Sequence, residues 1–203
     1  MKILRTAAVL MSVVMLTSAF TGCGKKKEST KKKQTTQIEY PDWVGKNEIK
    51  GELEKEAVGN ETGYILNSVI HVHPENAADG DYYYLDVTIK NQTDTAYALN
   101  ALNNFYIELS DSTQVDYFVG ADTYGASHFK DDIYSVVSEQ YQLPANGEFS
   151  GIVGGFKIDP AKVGSKITVC FFPTRENADD KEDVIKVDVP ADKIIEPSAD
   201  MLK

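Results

Sequence analysis

Apolar and polar residues alternate along much of this chain with the period of two that places successive side chains on opposite faces of a strand. Tyr83, Leu85, Val87 and Ile89 alternate with Tyr84, Asp86, Thr88 and Lys90. Phe105, Ile107 and Leu109 alternate with Tyr106 and Glu108, and Asp111-Ser112 then breaks the run as a hairpin turn does. Ile167, Val169 and Phe171 form another face, and Ile185, Val187 and Val189 alternate with Lys186 and Asp188. Ile49 to Leu53 and Tyr64 to Val72 are further strand candidates. Pro74, Asn91, Pro144-Ala-Asn-Gly147 and Asp159-Pro160 provide turns between them. Seven or eight strands without a convincing amphipathic helix predict an all-β fold, an antiparallel β-sandwich.

Two segments depart from simple alternation. Between Phe149 and Ile158 the apolar phase changes at Gly154-Gly155: Phe149, Gly151 and Val153 give way to Phe156 and Ile158. A β-bulge at the glycine pair resets which face points inward, with a plain loop as the alternative. Between Gly120 and Leu143 the pattern is irregular. Asp131-Asp132 can cap a short helix through Ile133, Val136 and Val137. Equally, Tyr134 to Val137 can be a strand.

The N-terminus follows different rules. After Lys2 and Arg5 come nineteen uncharged residues, 6 to 24, with an apolar heart of ten from Ala7 to Leu16. Nineteen residues nearly span a bilayer as a helix, but a short apolar core with a small-residue end suits a cleaved secretory signal better. Thr21 and Gly22 stand directly before Cys23 and resemble a bacterial lipobox, with Phe20 where that pattern prefers leucine. The resemblance implies that Cys23 is lipidated and becomes the first mature residue. One acyl chain anchors marginally, at about 0.8 kcal/mol per buried methylene, whereas two or more hold stably. Lys25 to Lys27 and Lys31 to Lys33 add a basic foot that an anionic membrane surface attracts. The polar run from 24 to 39 has no apolar periodicity and is expected to be disordered, with order beginning near Tyr40, Pro41 and Trp43. The expected divisions are a signal peptide (1–22), lipidated Cys23 and its Lys-rich tether (23–45), the sandwich (46–190) and a C-terminal tail (191–203).

Charge sharpens this organisation. The whole chain carries −10. From Ile38 onward there are 13 Lys and Arg against 30 Asp and Glu, a net −17. An acidic body over a basic foot argues against nucleic acid as a partner and suits a soluble domain held beside a membrane. With Cys23 lipidated, Cys170 stands alone in the apolar run Ile167 to Phe172. No disulfide can then form within the chain, the sandwich must rest on its hydrophobic core, and a buried structural thiol is expected at Cys170.

The order of these features is similar to a known class. The lipobox and lysine-rich tether precede Tyr83 to Asn91, a strand closed by Asn91-Gln92-Thr93, and then Phe105 to Leu109. Pro144-Ala-Asn-Gly147-Glu148 leads into Gly151 to Phe156. This arrangement resembles the small immunoglobulin-like modules of unknown function on lipoproteins of Gram-positive bacteria. In those modules a Pro-Gly-Glu turn typically precedes the phenylalanine strand, and here two residues are inserted in it. The resemblance covers roughly residues 48 to 190. It implies an immunoglobulin-like sandwich at the extracytoplasmic face of the cell membrane, and it supplies no catalytic residues.

Candidate chemistry is sparse. His71 and His73, two apart on a strand, share a face and together can hold zinc or copper if a further ligand such as His128 or an acid joins them. Without one they are strand-edge histidines before Pro74. Asp79-Gly80-Asp81, Asp131-Asp132 and Asp179 to Asp183 do not follow the calcium-loop pattern and are expected to be solvated turns. Ser127-His128 lacks the nucleophile-elbow motif of a hydrolase, and the glycines at 151 to 155 lack the lysine of a phosphate loop. No cofactor and no enzymatic activity are expected. Eleven tyrosines make an aromatic contact surface conceivable. Because binding groups concentrate on long loops, Tyr124, His128, Phe129, Tyr134 and Tyr141 are the candidate contacts for a protein or glycan of the envelope. The alternative function is a metal or small-ligand sensor or carrier built on His71 and His73.

Overall fold

A computed structural model describes residues 47–75, 80–100, 104–135, 140–173 and 183–203. The signal, Cys23 and the tether lie outside the described residues, as do Asp79 and residues 179–182. The strands are β1 (Asn47–Gly51), β2 (Ala57–Gly59), β3 (Thr62–Val72), β4 (Asp81–Asn91), β5 (Tyr97–Asn100) and β6 (Phe105–Glu108). They continue as β7 (Gln114–Val115), β8 (Gln140–Leu143), β9 (Glu148–Ile158), β10 (Lys166–Phe171) and β11 (Asp183–Pro190). Two helices, α1 (Val119–His128) and α2 (Pro160–Val163), and a 3-10 turn at Ala191–Lys193 complete the described elements.

A five-stranded sheet, β1-β11-β10-β6-β7, faces a four-stranded sheet, β2-β3-β4-β9, and β5 pairs with β8 apart from both. The alternating residues determine the packing. Leu85, Val87 and Ile89 of β4 meet Ile107 of β6, Val169 of β10 and Val187 of β11 in one core shared by the two sheets. The fold is thus an antiparallel β-sandwich in which β1 runs parallel to β11. Four further short strands, β2, β5, β7 and β8, bring the described total to eleven.

Aromatic rings bridge the two sheets. Tyr64 of β3 stacks on Phe171 of β10 at 4.5 Å, and Phe105 of β6 lies 5.0 Å from Phe171. The Tyr64 hydroxyl is buried with no hydrogen-bond partner among the described residues, and burial pushes its ionisation well above the ordinary tyrosine value. A buried hydroxyl left unpaired costs about 1–3 kcal/mol. Tyr64→Phe is therefore expected to hold or raise stability, by up to about 1 kcal/mol, seen as a higher urea midpoint at unchanged slope. A clear loss of stability would mean that the hydroxyl has a partner after all.

The bulge at the glycine pair is present. The β4–β9 register shifts between Tyr83 and Leu85, whose partners are Phe156 and Val153, so Gly154 and Gly155 together stand opposite Tyr84. Both glycines have positive φ, 89° and 155°, which other residues adopt only under strain. The reset puts Val153 and Phe156 on the same core while Tyr84 and Ile152 face outward into a second cluster with Ile70, Phe129 and Tyr134. Cys170 is fully buried, and its surroundings push the thiol up to about 12, as expected for a structural cysteine.

The two turn motifs behind the resemblance prove to be one structural unit. The Asn91 amide donates to the carbonyls of Thr95 (2.8 Å) and Pro144 (2.9 Å). Its oxygen accepts from the backbone N–H and the hydroxyl of Thr93, each at 2.8 Å. Asn146 N–H then donates to Thr93 O at 2.9 Å. Asn91 is nearly fully buried, so it is a tie between strand ends and not a ligand group.

Candidate functional site: the aromatic edge beside the first helix

Helix α1 lies against the outer face of the four-stranded sheet. Its sequence, VGADTYGASH, has two glycines and little apolar periodicity, so tertiary contacts hold it in place. Asp122 in its first turn suits the positive end of the helix dipole and accepts from the Tyr134 hydroxyl at 2.8 Å. That hydroxyl also reaches Gly154 O at 2.7 Å, and the Tyr84 hydroxyl donates to Ala121 O at 2.7 Å. Burial, and then the neighbouring Asp122 carboxylate, push both Tyr117 and Tyr134 above the ordinary tyrosine value. Tyr84 and Tyr134, both buried, fasten the helix and are closed to solvent chemistry.

The helix expected through Ile133, Val136 and Val137 is not seen at Ile133, while Val136 and Val137 lie outside the described residues. Residues 131–133 form a turn instead, and Tyr134 makes a single bridge to Ile152. A Cβ on Gly125 would stand 2.6 Å from the Tyr134 ring, so only glycine lets that ring lie against α1.

The five candidate contact residues separate. Phe129 is fully buried and Tyr134 nearly so, edge-on to Tyr84 at 4.9 and 6.0 Å. They hold the segment down and cannot face a partner, which corrects the expectation placed on them. Tyr141 lies on β8, opposite Leu99 of β5. Tyr124 and His128 do lie together, with rings stacked 3.6 Å apart at 8°. The sheet extends their row: Tyr82 is edge-on to Tyr124 at 5.5 Å, and Phe118 is 6.2 Å from Tyr82. Lys157 reaches over the Phe118 ring at 5.5 Å. Phe118 is 37% exposed and Val119 is 66% exposed. This edge of partly open rings is what remains of the expected aromatic surface. Phe118 and Val119 were missed because neither stands out from an irregular stretch of sequence.

The Ser127 hydroxyl lies 2.8 Å from His128 Nδ1, and both groups also reach a backbone carbonyl of α1. The Ser127 hydroxyl donates to Tyr124 O at 2.8 Å, and His128 Nδ1 lies 2.8 Å from the same carbonyl. Both close the last turn of α1. Lys203 N–H donates to His128 O at 2.9 Å and Leu202 bridges to Phe129, so residues 201–203 lie along this segment, whereas Ile195 pairs with Ile70 of β3.

His71 and His73 do share a face. Continuing the pairing of His71 with Tyr83 and Val72 with Tyr82 brings residue 73 opposite Asp81. The Asp81 carboxylate receives both rings, His71 Nε2 on Oδ2 at 2.5 Å and His73 Nδ1 on Oδ1 at 2.6 Å. Asp81 is 5% exposed, so it is not the solvated turn residue expected from its neighbours. Burial alone would raise its ionisation, but the two imidazole hydrogen bonds outweigh that and hold it below the ordinary carboxylate value. Register counting across the hairpin was the signal that could have found it. Among the described residues no three His, Cys, Asp or Glu side chains are arranged to hold a metal ion. His128 is on α1 and binds backbone there, so it does not join the pair.

Among the described residues no helix is long and apolar enough to cross a membrane. No protein-family model matches the chain, and no curated protein matches it in sequence. Solved structures of similar backbone include a candidate lipoprotein, ycdA, of Bacillus subtilis subsp. subtilis str. 168. It has 13% identity and a TM-score of 0.48, covering 68% of this chain and 39% of that one. The present chain thus spans about two fifths of that protein's length. The yjhA protein of Bacillus subtilis has 10% identity and a TM-score of 0.44, with 67% and 98% covered. A β-sandwich protein from Clostridium difficile 630 has 11% identity and a TM-score of 0.40, with 72% and 99% covered.

Proposed function

We propose that this chain is an extracytoplasmic lipoprotein of a Gram-positive bacterium, held at the membrane by acyl chains on Cys23. Its immunoglobulin-like sandwich contacts another component of the cell envelope, a protein or glycan, and catalyses no reaction. The observation that carries the reading is Phe20 to Lys27: an apolar run, small residues, a cysteine and then a basic foot. A diacylated cysteine supplies two chains, and the lysines add attraction to an anionic surface. The acidic body stays off that surface while the foot stays down. The aromatic edge of Tyr82, Phe118, Tyr124 and His128 supports the contact role, since flat amphipathic rings offer area at low entropy cost.

The anchoring is tested with labelled fatty acid. Wild-type protein is expected to take up label and stay with membranes, while Cys23→Ala takes up none and is released or left unprocessed. A wild-type protein that takes up no lipid ends the anchoring reading. The contact surface is tested by Phe118→Ala and Tyr124→Ala, expected to keep the fold while losing capture of the envelope component. Unchanged capture places the contact elsewhere.

A further inference from the structure

A second apolar group lies on the outer face of the five-stranded sheet. Phe105 and Ile107 of β6, Val169 and Phe171 of β10, and Ile185 and Val187 of β11 point into the shared core. Alternation therefore turns Tyr106, Cys170, Phe172 and Val184 the other way, away from the sandwich interior. These four form a cluster of their own, none of them more than 7% exposed. The Tyr106 and Phe172 rings stack 5.2 Å apart within it. Side chains on an outer sheet face reach such burial only under a cover of further contacts.

The strand registers place this cluster at one end of the sheet. Cys170 stands between Lys186 of β11 and Tyr106 of β6. Continuing the pairing of Phe171 with Ile185 brings residue 172 opposite Val184, and Val184 pairs with Glu48 of β1. This is the end at which β1 begins, at Asn47. Farther along, the face turns polar, with Lys186 paired to Glu48 at 2.7 Å and to Glu108 at 3.2 Å. Three stretches of chain adjoin the apolar end. Residues 174–182 carry six charged side chains in nine, and residues 101–103 offer Leu102 as their one large apolar group. The stretch before β1 holds Ile38, Tyr40, Trp43 and Val44. Trp43 is four residues ahead of Asn47, a reach of up to about 14 Å. Phe172 follows β10, two strand spacings from β1, or about 10 Å.

We propose that the segment from Ile38 to Val44 turns back across this end of the sheet as a strap and lays Trp43 on Tyr106, Cys170 and Phe172. Large rings cover most area per residue, and this segment carries two of them. The tether then joins the body at a packed face, and the strap shields the Cys170 thiol. The packing holds wherever the protein resides; its use in protecting a thiol outside the cell rests on the extracytoplasmic reading above.

The chain supplies its own probes. Trp43 is its only tryptophan, and with Cys23→Ala in place Cys170 is its only thiol. In the full chain carrying Cys23→Ala, kept in detergent, Trp43 is expected to emit at shorter wavelength than after unfolding in urea. Adding Cys170→Ala should brighten that emission, because a thiol beside an indole quenches it. Trp43→Ala should speed labelling of Cys170 by a maleimide roughly tenfold or more, whereas Trp43→Phe keeps it protected. Emission that matches the unfolded protein overturns the proposal, and so does an unchanged labelling rate in Trp43→Ala. Short-wavelength emission that ignores Cys170→Ala puts the indole in the micelle and also overturns it. A shift that grows with protein concentration and accompanies dimer formation gives the face to a second copy instead. If Trp43→Ala fails to fold, the emission and its response to Cys170→Ala decide alone. Lipid uptake at Cys23 is read on the unsubstituted chain, so failure of the anchor and failure of the strap are told apart.

Discussion

Gly155→Ala is expected to destabilise the protein by roughly 2–4 kcal/mol, a large loss for a single methyl group. A Cβ at Gly155 would stand 2.6 Å from the Asp122 backbone nitrogen and 3.0 Å from the Ala121 carbonyl carbon. Both are backbone atoms at the start of α1, so no flexible side chain can give way. The positive φ of 155° adds strain of its own. Relief requires moving α1 away, which loosens the bond from Phe118 N–H to Gly155 O (2.7 Å) and that from Tyr134 to Gly154 O. Denaturant unfolding measures the loss. A cost under about 0.5 kcal/mol would show that the helix is not seated on the bulge, since that is the ordinary range for surface changes.

The same position shows what could be read from the sequence. The phase change at Gly154-Gly155 was legible because it interrupts a period-two pattern, and the register shift opposite Tyr84 bears it out. The reason for two glycines was not legible, because it lies in α1, some thirty residues earlier in the chain. That helix escaped notice for a related reason. Gly120 and Gly125 weaken its intrinsic propensity, and its few buried positions (Ala121, Asp122, Gly125) carry no apolar stripe.

The candidate site was legible in part. Aromatic richness between Gly120 and Leu143 was expected to mark a contact surface, but aromatic side chains serve cores as readily as surfaces. Phe129 and Tyr134 cover the outward faces of Ile70, Tyr84 and Ile152, which the bulge and the strand alternation turn away from the main core. Trimming this segment to a tight turn would expose that second cluster, so the segment is part of the structure. His71 and His73 were found by spacing alone. Their partner emerges only when β3 and β4 are paired residue by residue, because pairing register and not composition brings residue 73 to Asp81.

Phe171→Ala is expected to have a still larger effect, about 3–5 kcal/mol. Phe171 is fully buried on β10 and its ring contacts both Tyr64 and Phe105. Tyr64 belongs to the opposite sheet, so the ring fills space between layers that backbone hydrogen bonds cannot hold together. Deleting it removes apolar contact and leaves a cavity that two rigid sheets collapse only partly. With disulfide support excluded if Cys23 carries lipid, the core has no covalent substitute. Domains of this size are typically stable by about 5–15 kcal/mol, so the variant should approach its unfolding midpoint under mild denaturant. Phe171→Leu should recover most of the loss, to within about 1.5 kcal/mol of wild type, because it restores much of the volume. Urea unfolding of the three proteins distinguishes the outcomes. If Phe171→Ala costs under about 1.5 kcal/mol, the sheets close over the gap and this aromatic group is not what joins them.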